Sequence, residues 1–383
     1  MIIESIKSAF KKHFNRVPII VRSPAKINLA GGYAKDIDGY VLPAAIDIAT
    51  YVAVCRRSDD EIHLFSESYQ EAFQTKLCDL YTTAKDWINC ILGVADQLQK
   101  WGYQIGGFNL YLDGDVPLAN KFSSIAAMEC ATAYALIELF SLSVPMLDLA
   151  KIAQMAGNDF KRVNPSLTDQ FASVFGKKGN AILLDGKSLA YEYIPLKLAG
   201  YQLVLLKADL DSQIANDKLM VNLAQCEQGL MLVKNNVTEL TRLRDASLKM
   251  LDKYVKRKDI EVYKKCKFIV GENQRVLMAA ECLRNANLKE FGALMYETHN
   301  GLSEYYDVSC SELDFLVDTV KKNSDVLGAC MLGEGFEGCT LNIVKEDRID
   351  DFIEEITQMF EAKFADKLAG YVIEIEEGTI LIC

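Results

Sequence analysis

The stretch Asp115–Cys130, DVPLANKFSSIAAMEC, constrains this chain more than any other. It follows an apolar run, Gly107–Leu112, that reads as a strand. It leads into a second apolar run, Ile125–Leu139, too long for a strand and rich in alanine, that reads as a helix. Strand, loop of small and hydroxyl residues, helix N-terminus is an arrangement that holds phosphate, because the free N–H groups of a helix start point at the anion. Yet the places where bare backbone should approach a phosphate carry Ala119, Asn120 and Lys121.

Around this stretch the chain alternates strand and helix patterns. Ile19–Arg22, Tyr40–Cys55 and Ile62–Phe65 read as strands, and Trp87, Ile91, Val94 and Leu98 recur at helical spacing. After Asp169 come short strands with a hairpin turn at Asp185–Gly186, then helices near 215–233, 262–283, 288–302 and 311–322. Strands at 327–332 and 339–344, a helix at 349–364 and a strand at 371–375 close the chain. The pattern predicts an α+β (α/β) protein, and 383 residues suit two domains, divided as 1–195 and 196–383.

A net charge of −11 with no basic block argues against nucleic acid and anionic membranes as partners. No apolar run reaches the length of a membrane span, and the charged N-terminal stretch reads as an amphipathic helix rather than a signal peptide. Eleven cysteines without a CxxC pair suit reduced thiols in a cytoplasmic protein. Three scattered histidines, His13, His63 and His299, argue against a histidine-rich metal site.

Two further stretches read as turns able to carry chemistry: Ser23–Tyr40 (SPAKINLAGGYAKDIDGY) and Gly333–Gly338 (GEGFEG). Together with DVPLANKFSSIAAMECATAYAL, LTDQFASVFGKKGNAILLDGKSLAYEYIPL, LGACMLGEGFEGCTLNIV and YETHNGLSEYYDVSCSELDFLV, they resemble the galactokinases of the GHMP small-molecule kinase family, nearly end to end. The resemblance implies a ribosomal-protein-S5-like α/β N-terminal domain, a ferredoxin-like C-terminal domain and an active-site cleft between them. It also implies ATP and magnesium as cofactors, and transfer of the γ-phosphoryl group to the C1 hydroxyl of galactose.

Carried over residue by residue, the family's catalytic aspartate falls on Asp169, and its partner arginine is Lys26, a point donor in place of a planar fork. Taken without the resemblance, Asp169 reads as the N-cap of the helical stretch that follows, Gln170–Phe175; with it, the active-site place is favoured, and capping is a second role. The family's sugar-binding Glu-His-x-Asp run is Gly32, Tyr33, Ala34 and Lys35, and its sugar-closing tyrosine aligns with Leu219. In the phosphate loop, Lys121, Phe122, Ser123 and Ser124 stand at the nucleotide-binding places, with Lys121 replacing a glycine. The magnesium-binding serine is Ile125 and the upstream magnesium glutamate is Gly157, with Asp159 as the nearest carboxylate, so no metal ligand set is expected. Glu334 and Glu337 put carboxylates into the glycine-rich turn, where facing phosphate they repel it.

Two readings stay open. In one, the chain is a pseudokinase with a binding, sensing or scaffold role, on a small sugar-like ligand or a protein partner. In the other, it is a working sugar kinase whose lysines suit an anionic substrate, using Asp169, Lys26 and Lys121. An enzyme of another reaction type lacks a nucleophile–base pair to support it.

Overall fold

The computed structural model describes residues 2–115, 124–161, 166–210, 213–333 and 338–383. Its contacts divide the chain into two compact units: Met1–Ile27 with Ala44–Lys178 and Ile375–Cys383, and Asn28–Pro43 with Gly179–Glu374. Neither is one continuous run, as blocks 1–195 and 196–383 would be. The chain passes between units inside two long strands, β1 (Ile19–Ala30) and β2 (Tyr40–Arg56), after Lys178 and after Glu374.

The first unit is a sheet between helices. Besides β1 and β2 it contains β3 (Glu61–Ser66), β4 (Glu71–Lys76), β5 (Phe108–Gly114) and the short β12 (Ile380–Leu381), in the order β12-β1-β2-β5-β3-β4. The two-residue alternation of β2 explains its two faces. Ala49, Tyr51, Ala53 and Cys55 meet Ile6 and Phe10 of α1 (Ile2–Phe14). Val52 and Val54 face the other way, into the core made with α2 (Asp86–Lys100), α3 (Ser124–Phe140) and α4 (Met146–Lys161). β5 alternates likewise, with Tyr111 towards α1 and Phe108, Leu110 and Leu112 towards the helices. α3 is apolar around its circumference because it lies inside this layer, and it is followed in the unit by α5 (Leu167–Phe175).

One sequence expectation is corrected here. Ser23–Tyr40 is not a turn throughout. Ser23–Ala30 continues β1, a neighbour of β2 in the sheet, past the short pairing of Val21 and Arg22 with β12, and only Gly31–Gly39 turns.

The second unit contains the hairpin β6 (Asn180–Asp185) and β7 (Tyr191–Pro195), then β8 (Tyr201–Ala208). Five helices follow: α6 (Gln213–Lys234), α7 (Leu248–Tyr254), α8 (Ile260–Arg284), α9 (Leu288–Gly301) and α10 (Ser311–Val320). β9 (Val326–Met331), β10 (Cys339–Lys345), α11 (Ile349–Phe364) and β11 (Leu368–Ile373) complete it. The antiparallel sheet has the order β11-β8-β10-β9, the ferredoxin-like arrangement the resemblance implied. α8 starts where its sequence dictates: the Asp259 carboxylate accepts from the N–H groups of Glu261 and Val262.

Candidate functional site

The structure brings Lys26 and Asp169 together in the first unit. Lys26 Nζ lies 2.7 Å from Asp169 Oδ1, with the lysine side chain 2% and the aspartate 17% exposed. A lysine this deep needs a carboxylate partner to remain charged. Asp169 does not cap its helix. Ser166 is the N-cap, its Oγ accepting from Thr168 N–H, which leaves Asp169 in the first turn where the helix dipole favours an anion.

The strand and the helix that carry the pair are tied together by a residue far along the chain. Thr379 meets Ser23 of β1 through their hydroxyls at 2.8 Å, and both its N–H and its hydroxyl donate to the Ser173 carbonyl of α5. Beside Asp169, Gln170 Nε2 donates to the fully buried Glu129 of α3 at 3.0 Å. No motif marks Thr379 or Glu129 as part of this arrangement; apolar patterning is silent about side-chain hydrogen bonds between distant segments.

The places of the sugar-binding run lie in the second unit. Gly31 has φ +79°, a value that favours glycine, and the chain then turns through Gly32 and Tyr33 into a 3-10 turn, Ala34–Ile37. Tyr33 is in the interior, 9% exposed. Its ring makes an edge contact with Tyr306 at 5.6 Å, and a Cβ on Gly333 would sit 3.0 Å from it. The cavity next to it, lined among others by Gly31, Gly32, Glu272 and Thr298, measures about 30 Å³, room for one water. Leu219, at the place of the family's sugar-closing tyrosine, is a buried apolar residue of α6.

The places of the family's magnesium ligands lie on α3 and α4. Ile125 is a half-exposed apolar residue at the start of α3, and Gly157 is buried in α4. Asp159, the possible substitute, is already engaged: Lys100 Nζ and Gln97 Nε2 each donate to its Oδ2 at 2.7 Å. Lys100 holds its carboxyl below the usual range. Among the described residues no cluster of three acid, histidine or cysteine side chains has a metal-holding arrangement. These groups do not fit a magnesium ion that wants several oxygen ligands.

Lys121, Phe122 and Ser123 lie outside the described residues, as do Glu334 and Glu337; for Ser124 and Lys35 the backbone is described and the side chain is not. Cys130, Cys330 and Cys339 are buried, and burial pushes the Cys130 and Cys330 thiols well up, away from reactivity.

A buried cation–carboxylate pair at a helix start in one unit, and a ferredoxin-like sheet in the other, define the class as a two-domain GHMP-type small-molecule kinase fold. Comparison with known proteins agrees. The family model for the GHMP kinases N terminal domain matches residues 89–177, that for the galactokinase galactose-binding signature matches 8–56, and that for GHMP kinases C terminal matches 279–362. The galactokinase of Clostridium acetobutylicum is 35% identical over 99% of this chain and 97% of its own length. That of Fusobacterium nucleatum is 33% identical over 98% of each. The crystal structure of Lactococcus lactis galactokinase complexed with galactose superposes with a TM-score of 0.93 at 30% identity, over 99% of this chain and 100% of that one. Mevalonate kinase of Methanococcus jannaschii, at 16% identity and a TM-score of 0.68, shares the fold. The chain belongs to the galactokinase family.

Proposed function

We propose that this chain is a galactokinase-family protein that no longer phosphorylates galactose at a useful rate and serves as a binding or regulatory protein. The observation that carries this reading is the state of the recognition segment: Gly32 has no side chain and Tyr33 is turned into the interior against Tyr306. Of the positions that the resemblance assigns to sugar hydroxyls, Gly32 therefore offers no side-chain hydrogen bond, and position 33 holds a largely buried phenol ring where the family has an imidazole. Each lost buried hydrogen bond weakens sugar binding by about 1–3 kcal/mol.

The misfit to magnesium supports the same reading, since the side chains of Ile125 and Gly157 have no oxygen to give and Asp159 is held by Lys100. ATP is the family's nucleotide, and the loop that would cradle it carries Lys121 in place of a glycine. The ligand in this reading is a small sugar-like molecule or a protein partner. A reducing compartment such as the cytosol suits its eleven free cysteines.

The Lys26–Asp169 pair, which keeps the family's aspartate and a positive charge beside it, favours a second reading, an active kinase of changed substrate. Asp169 would there accept or orient a substrate hydroxyl, and Lys35 and Lys121 would suit an anionic sugar.

Calorimetric titration with MgATP and with D-galactose, followed by an ADP-release assay over neutral and anionic sugars, separates these. Under the first reading no sugar raises ADP release above background. Galactose-dependent release on the order of 1 s⁻¹ overturns it, and release confined to an anionic sugar establishes the second.

A further inference from the structure

We propose that Glu272 and Asn273, consecutive residues of α8, are positioning residues that hold both ends of the recognition segment 31–40 and so fix where Gly32, Tyr33 and Lys35 stand. The inference rests on the reading of this segment as the one that faces a ligand. Its geometry is independent of any ligand.

At the start of the segment, Gly31 N–H donates to Glu272 Oε1 at 3.1 Å; at its end, Tyr40 N–H donates to Asn273 Oδ1 at 2.7 Å. The partners are 241 and 233 residues apart in sequence, so one turn of helix grips two points that only the fold brings to it. Glu272 is itself fixed. It is 2% exposed, and its other oxygen accepts from Arg275 Nε at 2.9 Å and from the Thr298 hydroxyl at 3.0 Å. The same helix limits what can stand at Gly31: a Cβ there would lie 2.6 Å from Val276 Cγ2 and from the Tyr40 carbonyl oxygen.

Between the grips the segment closes on itself. Ala34 N–H donates to the Gly31 carbonyl, Gly39 N–H donates to the Ala34 carbonyl, and Gly186 N–H donates to the Gly39 carbonyl. Ordering each backbone residue of a loop costs about 1–2 kcal/mol of entropy, so a loop of this length keeps one conformation only if held at several points. With both ends fixed, the middle has little freedom, and the side chain at position 33 is directed to the same place whenever the grips are closed.

Hydrogen–deuterium exchange of the intact protein, read by mass spectrometry on peptides covering 31–40, tests this with no sugar or nucleotide present. Its outcome is therefore separate from that of the activity assays. Asn273→Leu, which keeps the branched side-chain shape and removes the acceptor, is expected to speed exchange in that peptide about tenfold and leave peptides of β8 and β10 unchanged. Asn273→Asp keeps an acceptor oxygen and is expected to restore protection. Should the leucine variant not fold, Asn273→Ser, too short to reach Tyr40 N–H, carries the same expectation. Unchanged exchange in 31–40 overturns the proposal, as does a rise spread evenly over the second unit or failure of Asn273→Asp to rescue.

Discussion

Lys26 shows what one residue can and cannot disclose before folding. Its place beside an expected catalytic aspartate came from resemblance; its near-complete burial did not, because a lysine in a sequence of mixed character is ordinarily a surface residue. The pair sits in a poorly solvated place, so each charge depends on the other. Lys26→Met or Asp169→Asn alone is expected to destabilise by about 3–5 kcal/mol, and the double variant by clearly less than the sum. Denaturant titration of the four proteins checks this. Additive losses would mean that the two groups are not energetically coupled. Tyr33 makes the opposite point. The residue type at the recognition site was read directly from the chain, but not that its ring is tucked against Tyr306 and Gly333. Asp159 was an available carboxylate on paper, and the packing of α2 on α4 gave it to Lys100.

Among the elements, most helices and strands were legible because apolar periodicity reflects burial on one face. The misses have causes. β1 reads as a turn after Arg22, since Ser23, Pro24 and Gly31 are turn formers; the place of β1 beside β2 in the sheet overrides Ser23 and Pro24, and Gly31 begins the turn. β4, EAFQTK, is an edge strand with charged ends, and edges carry little apolar signal. The hairpin of β6 and β7 was visible at Asp185–Gly186, and the fold adds a second use of Asp185. Burial pushes its carboxyl up, but hydrogen bonds from Arg244 and from Lys187 N–H outweigh this and hold it below the usual carboxylate range. Arg244 also stacks over Tyr40 at 4.6 Å. A carboxyl with a depressed folded-state pKa adds stability above its unfolded value and loses it as pH falls through the folded one. The wild-type protein should therefore lose stability over this acid window. Arg244→Met should be less stable at neutral pH and flatter below pH about 4. Denaturant midpoints measured down to pH about 2 decide it; an acid limb of unchanged slope would remove Arg244 from the account.

At the scale of the whole molecule, both units keep intact cores around altered chemistry. The sheet and helices of the first unit and the four-stranded sheet of the second match a galactokinase over nearly the full length. If recognition rather than folding separates this chain from its relatives, restoring the family's run should restore a ligand. Gly32→Glu, Tyr33→His and Lys35→Asp together are expected to bring galactose binding from undetectable to about the millimolar range, at about 1–3 kcal/mol for each regained hydrogen bond. Calorimetry measures this. A folded triple variant that gives no heat with galactose would show that the loss lies elsewhere. The discontinuous units explain why a single boundary was not readable: segments join a unit through pairing with residues far away, and composition does not change where the chain crosses.

The sequence alone determined what was missing. The side chains of an isoleucine at 125 and a glycine at 157 have no oxygen for a hard cation in any fold, and Gly32 cannot hydrogen-bond a sugar through a side chain, because these are properties of the residues themselves. Only the tertiary structure decided which remaining groups are already committed: Lys26 to Asp169, Asp159 to Lys100, and the two ends of the recognition segment to Glu272 and Asn273. Those partners are tens to hundreds of residues apart. A hydrogen bond forms between atoms about 3 Å apart in space, and the order of residues along the chain does not say which atoms those will be.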